Sequence, residues 1–301
     1  MRSEAAGRSP PAPPSALRGQ AEPLAARLPP LLVEADRLAA TVAQGVHGRR
    51  RTGVGETFWQ YRAFQPGDAA SAIDWRQSAR SDGLFVREQE WEAAASVWLW
   101  PDRSARMAWR SAAFLPSKAD RAVVLAIALA SLLLRAGERV ALLGGASRPQ
   151  TGRAGLNALV RDLETSAPGD GVPPAVRLPR HARLVLISDL LAGEDALRAR
   201  LAPLVEQGIG GAVLQIADPA EESLPFRGRV LFQDTGDTAE RLIGRVEQVQ
   251  DDYRAIWRAH RAAAADLARG LGWRHAFHST EHPAEPALLA LYGMLAPGAS
   301  G

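Results

Sequence analysis

Between about Trp91 and Leu295, short apolar runs alternate with stretches of helical period, and this alternation restricts the fold more than any other feature of the chain. Ala95–Trp100 (ASVWLW), Arg139–Gly144 (RVALLG), Arg183–Asp189 (RLVLISD) and Gly211–Asp218 (GAVLQIAD) read as strands. RLVLISD is apolar on successive residues, as a central strand buried on both faces requires. Ser117 supplies an N-cap for a helix that includes Ala122–Leu134 and stops before Gly137. Gly155–Glu164 reads as a short helix, and Glu194–Gly208 as a helix ended by its glycine. Arg229–Asp234 (RVLFQD) is expected as an edge strand. Asp237, with Glu240 three residues later, forms a capping signature. Leu242, Val246, Val249, Tyr253, Ile256, His260 and Leu267 then follow at helical spacing, which predicts one long amphipathic helix. Gly272–Ser279 and Pro286–Leu295 read as the last strand and last helix. Strands that alternate with helices predict an α/β fold, with a mostly parallel sheet covered by helices on both faces.

Before that pattern begins, residues 1–30 are rich in Pro and Ala and have no apolar period, so a disordered tail is expected. Leu31–Gln44 has helical spacing through Leu31, Leu38 and Val42 and runs into Gly45. The expected organisation is a tail over 1–30, a small irregular N-terminal lobe over 31–90 and the α/β domain over 91–297. A hydrophobic fraction of 47% in 301 residues is enough for a sizeable core. The 36 basic and 33 acidic residues leave a net charge of only +3, without the clustered basic face of a nucleic-acid binder. There is no cysteine, which excludes disulfides, thiolate metal sites and cysteine nucleophiles. The longest apolar run, Ala122–Leu134, is shorter than the roughly 20 residues of a membrane span. No apolar signal core opens the chain, so the expected location is the cytoplasm.

The common catalytic signatures are absent. A phosphate-binding loop needs a lysine in its pattern, and the only lysine, Lys118, does not sit in one. One candidate site is Asp102 and Ser104, in WPDRSARM after the first strand of the α/β pattern; Asp189 follows a second strand. In a parallel sheet these loops line one edge. Two carboxylates and a hydroxyl there suit a hard cation such as Mg²⁺, which makes a metal-dependent hydrolase one reading; the other is that both acids cap the structure that follows. A second candidate is HAFHSTEH, with His275, His278, Glu281 and His282. On a strand His275 and His278 point to opposite faces, so surface histidines are expected rather than a metal cluster. A third is the basic run Arg49–Arg51, which could grip phosphate but has no interleaved aromatic platform.

The stretch GETFWQYRAFQPGDAASAIDWRQSAR carries Tyr61, Arg62 and Phe64, then Pro66, Gly67 and Asp68, then Ile73, Asp74 and Trp75, then Ser78, Ala79 and Arg80. This order of motifs resembles the bacterial family called domain of unknown function 58. DPAEESLPFRGRVLFQD, the helix with Tyr253 and His260, and STEHP resemble its C-terminal half, so the likeness runs roughly from Gly48 to Leu295. It implies a von Willebrand factor A-like fold. It also implies association with MoxR-type AAA+ ATPases, and with other von Willebrand factor A-like proteins. Two departures stand out. Ala69 and Ser71 or Ala72 occupy places usually held by an acid and an arginine. The fold's metal motif, Asp-x-Ser-x-Ser, reads Asp102, Arg103, Ser104, Ala105, Arg106 here, with a guanidinium in place of the last hydroxyl. Arg106 is therefore expected to pair with Asp102 or Asp189 and leave a degenerate, metal-free site with no cofactor.

The motif stretch has its own physical reading. Asp68 and Asp74 can pair with Arg62, Arg76, Arg80 and Arg87, and Trp75 can anchor the segment on the core. It then serves as a clamp between lobe and core, or as a partner-binding surface. The functional expectation is a non-enzymatic adaptor or client of a MoxR-type AAA+ ATPase.

Overall fold

The structure, a computed structural model, describes residues 30–43, 58–63, 75–80, 84–89, 96–235 and 239–295. Its centre is a five-stranded sheet in the order β4-β3-β5-β6-β9, with every pair parallel. The strands are β3 (Ser96–Pro101), β4 (Arg139–Leu142), β5 (Arg183–Ser188), β6 (Gly210–Ala217) and β9 (Arg274–Ser279). β5 lies in the middle and is buried along nearly its whole length, as its unbroken apolar run demands.

Helices cover both faces. On one face pack α3 (Lys118–Arg135), α4 (Gly152–Thr165) and α8 (Glu285–Met294), joined by α1, which spans 30–43. Leu31, Ala35, Leu38, Ala39 and Val42 of α1 share the core of α3 and α8. On the other face α5 (Glu194–Glu206) and α7 (Gln250–Gly270) bury Leu197, Leu201, Leu204, Ala264 and Leu267 against Leu184, Leu186 and Val213. The α/β expectation therefore holds, and an all-parallel sheet with helices on both faces is consistent with a von Willebrand factor A-like fold. No helix of the described residues is long and apolar enough to cross a membrane.

Two expectations need correction. Arg229–Asp234 does not extend the main sheet: β7 (Val230–Gln233) pairs with β8 (Glu240–Ile243) as a separate antiparallel hairpin. The long helix accordingly begins at Gln250, not near Glu240. Leu242 faces Leu231 across the hairpin, and Val246 lies in a 3-10 turn whose amide donates to Gly228. Helical spacing through Leu242 and Val246 is thus accidental. The N-terminal mark that the fold uses is Asp251 and Asp252 in the first turn of α7, where acids favour the helix dipole. Asp237 lies outside the described residues.

In the N-terminal region β1 (Phe58–Ala63) and β2 (Phe85–Gln89) form an antiparallel pair, with the short helix α2 (Trp75–Ser78) between them in sequence. The Phe85 amide donates to Ser78 Oγ at 2.9 Å and ties α2 to β2.

Candidate functional site

The chain leaves β3 for β4 on one side, then returns across β3 to build β5, β6 and β9 on the other. That reversal puts a switch point between the carboxyl ends of β3 and β5, where open α/β sheets hold their ligands. Asp102 follows β3 and Asp189 follows β5, so the two acids do share this edge as their sequence positions imply, and both are buried.

Each carboxylate oxygen at the edge already has a donor. Asp102 Oδ1 accepts from the Ser104 amide at 2.8 Å and Oδ2 from Ser188 Oγ at 2.7 Å. Asp189 Oδ1 accepts from the Leu191 amide at 3.0 Å, and Oδ2 accepts from Lys118 Nζ at 2.8 Å. The same Nζ reaches Glu221 Oε1 at 2.5 Å. Glu221 belongs to α6 (Pro219–Ser223), where its Oε2 accepts from the Asp218 amide in a capping box. Asp218 in turn accepts from the amides of Ala220 and Ser111, both at 2.9 Å. From α7, Tyr253 Oη donates to the Glu221 carbonyl and His260 Nε2 lies 3.0 Å from the Asp189 carbonyl. The edge therefore holds two adjacent hydrogen-bonded sets: one joins Asp102 to Ser188 of β5, and the other, centred on Lys118, joins the loop after β5 to α3, α6 and α7.

Burial pushes the Asp102 carboxyl up, although its bonds to Ser104 and Ser188 resist this. Burial also raises the Glu221 carboxyl, with the Asp189 charge adding to the rise, although Lys118 and the Asp218 amide resist it. For Lys118, burial alone would favour the neutral amine, but the charges of Asp189 and Glu221 outweigh it and hold the pKa above the ordinary lysine value. Lys118 is therefore a permanent ammonium, unsuited to act as an amine nucleophile. Burial likewise pushes the Tyr253 phenol up to about 12, so it stays protonated and keeps donating.

The metal that the fold's motif would imply does not fit these residues. A divalent ion needs several uncommitted oxygens around it, and here an ammonium already bridges Asp189 and Glu221 while one amide and one hydroxyl engage the two oxygens of Asp102. No group of three or more His, Asp or Glu among the described residues could hold a metal ion. The expected pairing of Arg106 with an acid is not what forms. Its Nη2 donates instead to the Asp170 carbonyl at 2.7 Å, beside Gly171, whose φ of +89° lets the loop close against the guanidinium. The cation at the acids is Lys118. Its partners are 71 and 103 residues away in sequence, which is why spacing could not reveal them. The one available signal was that a chain of 36 basic residues holds a single lysine.

Of the other sequence candidates, His275 and His278 lie on opposite faces of β9, but His278 is buried rather than superficial. Glu281 and His282 are exposed. Trp75 is 65% exposed, so it is not a buried anchor. Arg80 is exposed, and Tyr61 and Arg62 lie on β1. Arg49, Arg50, Arg51, Pro66, Gly67, Asp68 and Asp74 lie outside the described residues. A cavity of about 1110 Å³ opens at the carboxyl ends of β3 and β4, lined by Trp100, Asp102, Arg103 and Arg200. Its arginines are held by backbone: Arg103 donates to the carbonyls of Leu163 and Ser166, and Arg200 to that of Pro173.

No solved structure matches this chain. An uncharacterized protein of Mycobacterium bovis and two of Mycobacterium tuberculosis strains are each 30% identical to it over 278 residues, covering 86% of both chains. The model of the family described as "Protein of unknown function DUF58" matches residues 60–263, well over half of the sequence. The chain belongs to the DUF58 family.

Proposed function

We infer that this protein is a non-enzymatic, cytoplasmic binding module that works as an adaptor or client of a MoxR-type AAA+ ATPase. The observation that carries this reading is the state of the switch-point edge. Where an α/β enzyme would expose reactive groups, Asp102, Asp189, Asp218 and Glu221 are all spent on internal hydrogen bonds. The rim beside them instead carries exposed apolar side chains: Phe114, 87% exposed in the loop before α3, and Leu191 in the loop after β5. A large aromatic side chain in full contact with water suits protein recognition. The class of partner comes from the family resemblance. Hydrolysis through Mg²⁺ at Asp102 and Asp189 would require Lys118 to leave Asp189.

The test is recovery of the full-length protein from its native host, with bound proteins identified by mass spectrometry. A MoxR-type ATPase is expected, at a yield reduced by Phe114→Ser. Recovery without such an ATPase, or nucleotide or phosphoester turnover by the purified chain, overturns the reading.

A further inference from the structure

Lys118 is the only lysine in a chain whose other 35 basic residues are arginine, and it is 1% exposed. It stands at the first position of α3, and its stem carries Nζ to Asp189 Oδ2 and Glu221 Oε1 at 2.8 and 2.5 Å. Three separate elements therefore meet on one atom: the start of α3, the loop after β5, and α6 after β6. A guanidinium is planar and larger, with its donors in a fixed fork. An ammonium is a compact point charge that can donate in several directions. Two carboxylates converging from different elements need a cation of the second shape.

We propose that Asp189 and Glu221 form a cation site whose permanent occupant is the chain's own ammonium, that of Lys118. The carboxyl edge of the sheet is thereby clamped without an exchangeable metal ion. The site is selective for a small cation, since two carboxylate oxygens lie within hydrogen-bonding distance of one nitrogen atom. The remaining acids, Asp102 and Asp218, take no part because amides and hydroxyls satisfy them. Truncation of Lys118 to alanine removes three methylenes and the ammonium. It leaves a channel shaped for n-propylammonium, ending at two uncompensated carboxylates, Asp189 buried and Glu221 partly so. This inference does not depend on which partner the protein has.

The experiment is thermal melting of the full-length wild type, Lys118→Ala and Lys118→Arg at constant ionic strength. Each is measured alone, with EDTA, with millimolar Mg²⁺ or Ca²⁺, and with n-propylammonium or the bulkier tetramethylammonium. The wild type is expected to melt at the same temperature throughout. Lys118→Ala is expected to melt about 10 °C lower, since a buried carboxylate loses its partner. Propylammonium or a divalent ion should recover much of that loss, and tetramethylammonium none of it. Lys118→Arg should also melt lower, because the fork does not fit. If Lys118→Ala does not fold alone, refolding with and without propylammonium gives the same comparison. Recovery of fold only with the small cation supports the proposal, and recovery with neither overturns it. It is also overturned if EDTA lowers the wild-type melting temperature, if Mg²⁺ raises it, or if Lys118→Ala melts like the wild type.

Discussion

His278 sits in β9 with its Nε2 buried and without a hydrogen-bond partner. Burial, aided by the charge of Arg121 and by His282, pushes its pKa down to about 4. The sign of the effect on stability follows. Between pH 6.5 and 4 the unfolded chain takes up a proton at this residue and the folded chain does not, so stability falls as pH falls through that window. The loss should reach about 2–3 kcal/mol at pH 4, given about 1.4 kcal/mol per pH unit. His278→Asn cannot titrate, so its melting temperature should decline less steeply between pH 7 and 4 than that of the wild type. Parallel declines would show that His278 protonates without penalty in the folded protein. Trp75 carries the opposite lesson. It looks like an anchor in a motif full of charges, yet it lies 65% exposed on α2. Trp75→Ala should shift stability by no more than about 0.5 kcal/mol, as surface changes do, whereas a buried tryptophan would cost about 3–5 kcal/mol. Denaturant titration of the variant separates the two. An isolated residue's surroundings are not written in its neighbours: Asp102 and Asp189 could be placed on one edge because both follow parallel strands, but nothing local tied either to Lys118 or Glu221.

At the scale of elements, the strands and helices that were legible are those whose apolar period agrees with their burial. β5 is apolar throughout and buried on both faces, and the helix after Ser117 begins where its cap says, with Ser117 Oγ accepting from the Asp120 amide. The exceptions are short segments where two periods coexist. Leu242 fits the helical spacing of α7 and also the cross-strand position opposite Leu231, and the hairpin wins. Packing between elements sets a further constraint at Gly211, near the start of β6. A Cβ there would lie 2.6 Å from the Leu184 carbonyl oxygen and 2.6 Å from the Trp273 ring, which is itself fixed by its indole N–H donating to the Ile209 carbonyl at 3.1 Å. Neither neighbour can yield cheaply. Gly211→Ala should cost about 1–3 kcal/mol, read as a lower denaturant midpoint at unchanged m-value. An unchanged midpoint would mean that Trp273 can turn aside.

For the whole molecule, the near balance of 36 basic and 33 acidic residues spreads charge rather than concentrating it. A protein of this kind should bind DNA or RNA weakly. A contact made by Arg49–Arg51 alone would neutralise only about three phosphates, with a correspondingly shallow salt slope. Fluorescence anisotropy with labelled oligonucleotides at 50 and 200 mM salt checks this. Submicromolar binding that collapses with salt would revive a nucleic-acid role. The helix over 30–43 matters at this scale as well, because its buried face joins the same core as α3 and α8. Its periodicity announced a helix, but its partner lies some ninety residues onward.

By itself the sequence determined the α/β class, the order of most elements and the shared edge of Asp102 and Asp189. Each of these follows from local periodicity and from the rule that parallel strands present their carboxyl ends together. Only the tertiary structure decided which cation meets those acids. Arg106, two residues from Ser104, turns to a backbone carbonyl, while Lys118, at the head of a different helix, supplies the charge. The reason is physical. A charge–charge contact depends on distance in space and on the shape of the cationic group, and neither scales with separation along the chain.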